Sequence, residues 1–324
     1  MGRIKNLLPS RRRLIQLYSA LLYNAYVKGF ISGKIYTGGA KILCVPGLNC
    51  YSCPGAVGAC PLGALQNSLA ASPYRAPAYA LGILLLYGLI LGRTICGFLC
   101  PMGLLQELIH KMPTPKLKKG KLTRLLSGAK YILLAVFVIG LPLWYASKLL
   151  PVPAFCKYIC PAGTLEGALP LLSHPDNGFL LSVLGGLFNW KLIVLVLVLL
   201  LCLFAYRGFC RFLCPLGAIY GLFSKINFLG VRLDEDKCVD CGKCIKVCGM
   251  DIRHVGDREC IHCGDCIDHC PTSAISLRAG KIVLRENEKV YTPEKKSENK
   301  KIAAYVWTAA IILLAALLIF VNFA

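Results

Sequence analysis

The chain has 324 residues, of which 56% are hydrophobic and only 16% charged, and its mean hydropathy is +0.61. This composition argues against a soluble globular protein and predicts an integral membrane protein. The net charge of +21 is not accompanied by a nucleic-acid-binding motif, so nucleic acid is not an expected partner. Basic residues instead flank apolar segments, as the positive-inside pattern requires. With no recognisable cleavable signal peptide, the nineteen cysteines favour metal binding over disulfides.

Five apolar segments are predicted to cross the membrane, at residues 14–31, 77–93, 129–147, 190–206 and 302–324. Asn24 and Lys28 interrupt the first segment, which leaves an interfacial amphipathic helix as the alternative there. A further apolar segment, 178–189, is too short to cross and is predicted to be interfacial or re-entrant.

Four stretches share a Cys-Pro-x-Gly pattern followed by an apolar sequence, and three of them are preceded by Cys-x3. Proline suits the first position of a helix, so the preceding cysteine is expected at the cap. Free backbone N–H groups and the positive end of the helix dipole then favour an anion such as an iron–sulfur cluster. Burial as small apolar residues is the alternative, which does not explain a pattern that occurs four times. The cysteines concerned are Cys60, Cys96, Cys100, Cys156, Cys160, Cys210 and Cys214.

These stretches form two predicted repeats, about 44–112 and 150–226, related by a pseudo-twofold axis. In that arrangement the inner membrane site takes Cys96, Cys100, Cys210 and Cys214. The outer membrane site takes Cys156 and Cys160 together with two or three of Cys50, Cys53 and Cys60. A spare ligand, another cluster type or a disulfide remain open there, and Cys44 lies near the set. Cys202, in the middle of a span, is predicted to be a packing residue.

Residues 238–270 contain two runs with the ligand spacing of bacterial two-cluster ferredoxins, in which the fourth cysteine of each run binds the other cluster. Gly249 replaces the proline that often ends the first run. A zinc ribbon or a disulfide knot is the alternative, but zinc favours two Cys-x2-Cys pairs rather than two runs of four. The predicted ligands are Cys238, Cys241, Cys244 and Cys270 for one [4Fe–4S] cluster, and Cys260, Cys263, Cys266 and Cys248 for the other.

The expected fold is therefore a mostly α integral membrane protein with two pseudo-symmetric transmembrane repeats and a small α+β ferredoxin domain. The predicted boundaries are 1–229 for the membrane domain, 230–284 for the ferredoxin domain, 285–301 for a polar linker and 302–324 for a C-terminal transmembrane helix. The bias of Lys and Arg between loops places the N-terminus, the 94–128 loop and the ferredoxin domain on the cytoplasmic side of a prokaryotic membrane. The 32–76 loop, the 148–189 loop and the C-terminus are expected outside.

The Cys-x3-Cys-Pro motifs at 96, 156 and 210, the stretch LNCYSCP at 48–54 and the two-cluster ferredoxin pattern resemble membrane polyferredoxins of the NapH/NosR/CcoG type. The resemblance implies membrane iron–sulfur electron transfer without identifying the partner. A fifth span after the ferredoxin domain departs from the family. The FMN-attachment region of the NosR-like relatives is not found, because Ser127-Gly-Ala-Lys130 does not fit its Ser-Gly-Ala-Thr signature, and no covalent FMN is expected.

These features predict an electron conduit with two ferredoxin clusters and two membrane clusters and with no catalytic residue. Its donor would be a cytoplasmic ferredoxin or flavoprotein and its acceptor extracytoplasmic. The alternatives are a quinone-reactive subunit of a respiratory enzyme and a factor for metalloenzyme maturation or redox sensing. Glu107 and His110 are the ionisable pair nearest a membrane cluster, but surface positions at a helix end are expected for them. No predicted span contains His, so no haem is expected, whereas His262 and His269 are placed to tune a ferredoxin cluster.

Overall fold

The computed structural model describes residues 11–71, 77–287, 308–318 and 320–322, and most of the predicted linker at 285–301 lies outside them. The protein is mostly helical with one small sheet. The helices are α1 (Arg11–Tyr23), α2 (Val27–Ser32), α3 (Pro61–Ala71), α4 (Ala78–Ile90), α5 (Thr94–Phe98), α6 (Pro101–His110), α7 (Lys121–Leu126), α8 (Ala129–Leu133), α9 (Leu141–Ser147), α10 (Ala154–Tyr158), α11 (Leu169–Leu172), α12 (Phe179–Val183), α13 (Gly186–Phe204), α14 (Gly208–Phe212), α15 (Pro215–Leu222), α16 (Lys243–Val247), α17 (Asp265–Asp268) and α18 (Thr308–Asn322).

Two of the described helices are long and apolar enough to cross a membrane. One is the continuous run Lys121–Ser147, which joins α7, α8, a π-helical segment (Leu134–Gly140) and α9, and the other is α13. They match the predicted spans at 129–147 and 190–206. The predicted span at 77–93 contains the 13-residue α4. The predicted C-terminal span, 302–324, contains α18, and residues 302–307 of that span lie outside the described part. The 13 residues of α4 are fewer than the roughly 20 that a perpendicular crossing needs.

One apolar segment differs from the predicted continuous span. The segment 14–31 is interrupted after α1, because Asn24 donates a side-chain hydrogen bond to Asn49 Oδ1 (3.0 Å) and Tyr26 N donates to Gly55 O (3.1 Å). These bonds attach the break to the 44–60 loop, so the backbone leaves the helical path there. The segment 178–189 contains α12 and the first turn of α13, and its interfacial or re-entrant position stays a prediction.

The sheet has the order β1–β2–β3 and is antiparallel throughout, with β1 at Leu229–Leu233, β2 at Ile275–Ala279 and β3 at Ile282–Arg285. It follows α15 closely, and Phe228 N donates to Leu89 O (2.8 Å) at the end of α4. The largest apolar core contains residues from both the helices and the ferredoxin region, including Cys96, Cys210 and Ile261. The ferredoxin region therefore packs directly against the helices that carry the Cys-Pro motifs.

Candidate iron–sulfur sites

Each Cys-Pro-x-Gly motif begins a helical segment, as the motif predicts. The proline is the first residue of α3, α6 and α15, and Pro161 begins the helical run that ends at Leu172. Cys100 and Cys214 occupy the cap positions of α6 and α15 with extended backbone angles. Because proline lacks an N–H and has a fixed φ, it suits this position and leaves the next N–H groups free for another acceptor.

That acceptor is the sulfur of the motif cysteine. Gly217 N donates to Cys214 Sγ at 3.4 Å. The same backbone hydrogen bond from the motif glycine reaches the cysteine sulfur in the other three motifs, at Cys60, Cys100 and Cys160. An anionic sulfur gains from such donors and from the positive end of the helix dipole. All four motifs thus present a sulfur at a positively polarised helix start.

The structure brings together the four cysteines predicted for the inner membrane site. Their side chains lie in the apolar core, with only 5–7% of each residue exposed. Burial raises the pKa of the Cys214 thiol, and the neighbouring sulfurs of Cys210, Cys96 and Cys100 raise it further. Thiols gathered in an apolar core are stable as thiolates when they bind a metal centre. The donor set therefore fits a four-thiolate cluster.

Gln106, six residues after Cys100, fixes one of these sulfurs. Its side-chain amide donates to Cys210 Sγ (3.0 Å), and its oxygen accepts from Phe209 N (3.1 Å). Cys202, the predicted packing residue, is fully buried, and its sulfur lies 3.5 Å from the same oxygen. The amide is thereby oriented so that its N–H, rather than its oxygen, faces the cluster ligand.

Gln66 makes the same pair of contacts at the outer membrane site. Its amide donates to Cys156 Sγ (3.2 Å), and its oxygen accepts from Phe155 N (2.9 Å). Neither glutamine is among the residues predicted from the sequence. The spacing Cys-Pro-x-Gly-x2-Gln, present at 60–66 and 100–106, is the signal that marks both.

The outer membrane site contains a cavity of about 330 Å³, and four cysteines line it: Cys50, Cys60, Cys156 and Cys160. Two other nearby cysteines do not. Cys53 is buried beside the cavity, and its backbone N donates to Cys50 O (3.1 Å). Cys44 is held by a bridge to Ala59 and by a hydrogen bond from the Tyr87 hydroxyl to its carbonyl oxygen (2.7 Å). The geometry therefore favours Cys50 and Cys60 over Cys53 as the partners of the second motif.

Charged groups at the outer membrane site are few. Glu166, which stands six residues after Cys160, accepts a hydrogen bond from Cys50 N (2.7 Å). Burial raises the pKa of Glu166 to about 7. Lys191, in the second turn of α13, donates to Cys156 O (3.3 Å). Lys157 also lines the cavity, so one carboxyl group and two ammonium groups flank it.

Seven of the eight ferredoxin cysteines lie in two apolar clusters, and each cluster contains cysteines of both runs. The group packed in the core shared with the helices contains Cys248, Cys260 and Cys263. The group packed against the sheet contains Cys238, Cys244, Cys270 and Cys266. Cys241 is exposed, and Cys266 lies between the two groups, close to Cys260 and Cys244.

Two histidines occupy the ferredoxin loops, as the sequence indicates. His262 is fully buried, Val231 N donates to its Nδ1 (3.0 Å), and Cys260 Sγ lies 3.7 Å from the same nitrogen. Burial lowers the pKa of His262 to about 3, so the ring is neutral and ties the loop to β1. His269 is exposed, and its Nδ1 lies 2.8 Å from Asp265 O.

The inner membrane site and the ferredoxin region meet backbone to backbone. Gly97, inside the Cys-x3-Cys loop of the inner membrane site, lies against Ile261, inside the Cys-x2-Cys loop that begins at Cys260. A Cβ atom added at Gly97 would overlap the carbonyl oxygen of Ile261. Glycine is therefore required by close approach, since no larger residue fits without separating the two loops.

Two groups of buried ions surround this contact. Glu259, directly before Cys260, binds both Arg93 (3.0 Å) and Lys130, which are fully buried. Glu107 binds Arg12 through two oxygens (2.6 and 2.9 Å) and also Arg207 (2.7 Å). In each group two cations share one carboxylate.

The position predicted for Glu107 is wrong. The residue is only 4% exposed rather than at the surface, because α6 faces both α1 and the end of α13. Its salt bridges to Arg12 and Arg207 overcome the effect of burial and lower the pKa of Glu107 to about 2. His110 is half-buried, and its Nδ1 lies 3.3 Å from Cys202 O.

Over the described ranges, no three His, Cys, Asp or Glu side chains lie close enough together to hold a single metal ion. A [4Fe–4S] cube is held by one thiolate at each of its iron corners, so its ligands lie farther apart than those of a single ion.

Comparisons with known proteins identify iron–sulfur sequences in the same places. A 4Fe-4S binding domain matches at residues 72–120, 132–171 and 188–233, and each segment contains one Cys-x3-Cys-Pro motif. A 4Fe-4S dicluster domain matches at residues 230–271. No solved structure matches the chain.

Several curated proteins are similar to the chain. The uncharacterized protein MJ0750 of Methanocaldococcus jannaschii is 32% identical over 60% of this chain and 76% of its own length. The methylamine utilization ferredoxin-type protein MauN of Paracoccus denitrificans is 30% identical over 57% of this chain and 58% of its own length. The ferredoxin-type protein NapH of Haemophilus influenzae is 28% identical, over 51% of this chain and 50% of its own length. The chain thus spans only about half the length of the last two relatives.

Proposed function

The chain belongs to the NapH-type polyferredoxins, iron–sulfur proteins of electron transport, and we propose that it conducts electrons across the cytoplasmic membrane. When bound, each [4Fe–4S] cluster takes up and releases one electron. The donor is a cytoplasmic ferredoxin or flavoprotein, and the acceptor lies on the extracytoplasmic side. The proposed ligand sets are Cys238, Cys241, Cys244 and Cys270; Cys248, Cys260, Cys263 and Cys266; Cys96, Cys100, Cys210 and Cys214; and Cys50, Cys60, Cys156 and Cys160.

The contact between Gly97 and Ile261 carries this proposal. It holds a ligand loop of the ferredoxin region against a ligand loop of the inner membrane site, with no side chain between them. Electron transfer needs only such proximity, because no atoms move between donor and acceptor. The buried ion pair between Arg93 and Glu259 keeps the two loops in register.

The helix α13 supports a separation of the two membrane sites in depth. Lys191 contacts the outer membrane site through Cys156 O, whereas Cys202 contacts Gln106 at the inner one. These residues are eleven positions apart on one helix, which corresponds to about 16 Å along its axis. A line of sites at different depths suits transfer through the thickness of a membrane.

Contacts of the basic 111–124 segment support a cytoplasmic ferredoxin region. Lys119 Nζ donates to Ile245 O (3.3 Å) and Lys246 O (3.0 Å) at the end of α16. The segment and the ferredoxin region therefore share one side of the protein. Basic segments next to membrane spans tend to remain in the cytoplasm, which supports the proposed orientation.

The proposal is tested by measuring iron and acid-labile sulfide per chain after anaerobic purification. Wild-type protein is expected to hold about sixteen iron, and Cys156→Ser/Cys160→Ser about twelve, because one cube is lost. Cys53→Ser and Cys44→Ser are matched controls, since neither side chain lines the cavity, and both are expected to retain the wild-type content.

A content of about twelve iron in both wild type and Cys156→Ser/Cys160→Ser would contradict the proposal. The conduit would then lack its last site, and the quinone-reactive alternative would replace it. A loss of four iron in Cys53→Ser, with none in Cys60→Ser, would instead reject the ligand set of the outer membrane site.

A further inference from the structure

Two buried arginines stand at equivalent places in the sequence. Arg93 precedes Cys96 by three residues, and Arg207 precedes Cys210 by three, which gives the pattern Arg-x2-Cys-x3-Cys-Pro twice. Both side chains have no exposed surface. The motif at Cys156 has Pro153 at the corresponding position, so the pattern belongs to the inner membrane site alone.

Each guanidinium group lies over the first helical turn of the opposite motif. A Cβ atom placed on Gly103 would lie 3.1 Å from Arg207 Nη1, and one placed on Gly217 would lie 3.5 Å from Arg93 Nη2. A cation is unfavourable at a helix N-terminus unless an anion lies beside it. Arg93 Nε and Nη2 are also buried with no hydrogen-bond partner in the described part of the chain. These donors fit an anionic group held by the four cysteines.

The net charge of the buried side chains around the four cysteines is consistent with an anionic group there. In each of the two ion groups, around Glu259 and around Glu107, two cations share one carboxylate and leave one positive charge uncompensated. Such charges are unfavourable in a buried position without a counter-charge. An oxidised cube with four thiolates carries roughly −2, so the inner membrane cluster would supply negative charge that these groups lack.

The outer membrane site has a different electrostatic environment. Its nearby cations are Lys191 and Lys41, both half-buried, and the exposed Lys157, and the carboxyl group of Glu166 lies among them. Water screens partly exposed charges more than buried ones. The positive field at this site is therefore the weaker of the two.

We infer that Arg93 and Arg207 are positioning residues of the electron-transfer step, whose fixed charges give the inner membrane cluster a higher reduction potential than the outer one. Reduction adds one electron from the ferredoxin region and breaks no bond, so a nearby positive charge favours the reduced state directly. The inference rests on the proposed function. It makes the inner membrane site the favoured place for an electron that leaves the ferredoxin region.

The test is a redox titration of the full-length protein, followed by electron paramagnetic resonance. The signal of the inner membrane cluster is identified by its loss in Cys100→Ser/Cys214→Ser. In Arg207→Gln and Arg93→Gln, this cluster is expected to titrate at a lower potential. At the wild-type midpoint its ratio of reduced to oxidised form should fall about tenfold, which for one electron is about 59 mV. Arg207→Lys retains the charge and is expected to restore most of the wild-type potential.

Arg124→Gln is the matched control, because Arg124 is partly exposed and its charge pairs with Asp251. It is expected to leave the inner potential unchanged, and Lys191→Gln is expected to shift only the outer cluster. A wild-type potential in both arginine-to-glutamine variants, with full iron content, would overturn the inference while leaving the proposed function intact. If the wild-type protein contained no cluster at the inner membrane site, both the inference and the proposed function would be overturned.

If the glutamine variants lose the inner cluster, Glu107→Gln and Glu259→Gln decide the question. Each removes a negative charge beside one arginine. A higher reduction potential of the inner membrane cluster in these variants supports the inference, and an unchanged reduction potential overturns it.

Discussion

At the scale of single residues, the environment of each proposed cluster is set by small or polar side chains that the cysteine spacing alone does not reveal. Gln66 and Gln106 each bind a cysteine sulfur and the backbone N–H of the preceding phenylalanine. Gly97 permits the approach of Ile261. Such residues control hydrogen bonding to sulfur and the distance between neighbouring sites, and both affect electron transfer.

Gln106→Leu is expected to shift the inner membrane cluster to a lower potential, because a hydrogen bond to its sulfur ligand is lost. It also leaves Phe209 N without its side-chain acceptor, which should destabilise the protein by about 1–3 kcal/mol. Gln66→Leu should lower the reduction potential of the outer membrane cluster alone. Redox titrations of both variants check this, and an identical effect of either variant on both clusters would contradict the local role of these amides.

Gly97→Ala is expected to separate the ferredoxin loop from the inner membrane site. Overpacking of this kind destabilises a protein by about 1–3 kcal/mol, and the displacement should slow reduction of the membrane clusters by the ferredoxin region. Stopped-flow reduction measures the rate. Gly82→Ala is the control, since the described residues leave open space around that position. Equal rates in both variants would show that the contact does not govern transfer.

At the scale of secondary-structure elements, a third group of ions attaches the ferredoxin region to the helices. Asp251, nearly fully buried, binds Arg211 of α14, Arg124 of α7 and the hydroxyl of Thr123. Burial works against ionisation of this carboxyl group, but the hydrogen bond from Thr123 and the two arginines lower the pKa of Asp251. One ionised side chain thus joins three parts of the chain.

Asp251→Asn is expected to weaken this attachment, because Arg211 remains buried without its counter-charge. Removal of one partner from a buried ion pair typically destabilises a protein by about 3–5 kcal/mol. Asparagine suits the positive φ of 56° at this position, so the loss of charge is tested without added backbone strain. Hydrogen exchange of residues 243–252 measures the attachment. Lys237→Gln is the control, because its pair with Asp234 is exposed. Unchanged protection in Asp251→Asn would contradict the expectation.

At the scale of the whole molecule, the proposed orientation separates two ends of the protein. Lys118 is exposed on the side of the ferredoxin region, and Asp176, whose side chain is 84% exposed, follows the motif of the outer membrane site. The two long apolar helices, Lys121–Ser147 and α13, connect these ends. The proposed route for electrons therefore runs parallel to them.

Protease-recognition sequences inserted after Asp176 and after Lys118 test this orientation in spheroplasts. The first is expected to be cleaved by protease added to intact spheroplasts, and the second only after the spheroplasts are lysed. The reverse pattern would invert the proposed topology. Cleavage at both positions in intact spheroplasts would contradict a membrane-spanning arrangement between them.

The sequence by itself determined the chemistry of this protein. Two features follow from local chain geometry: the ligand spacing in the two cysteine runs and the Cys-Pro motifs at helix starts. Both can therefore be recognised without knowledge of the tertiary structure. The comparisons confirmed the resemblance to polyferredoxins on that basis. The spans predicted at 129–147 and 190–206 could also be recognised from the sequence, because about 20 apolar residues suffice to indicate a span.

Only the tertiary structure decided which distant residues meet. It selected Cys50 and Cys60 rather than Cys53 for the cavity of the outer membrane site, and it buried Glu107 against two arginines. The break after α1 also depends on hydrogen bonds to a loop some 25 residues away. These outcomes arise from packing between segments far apart in the chain. Their energies depend on burial and on partners that local sequence does not specify.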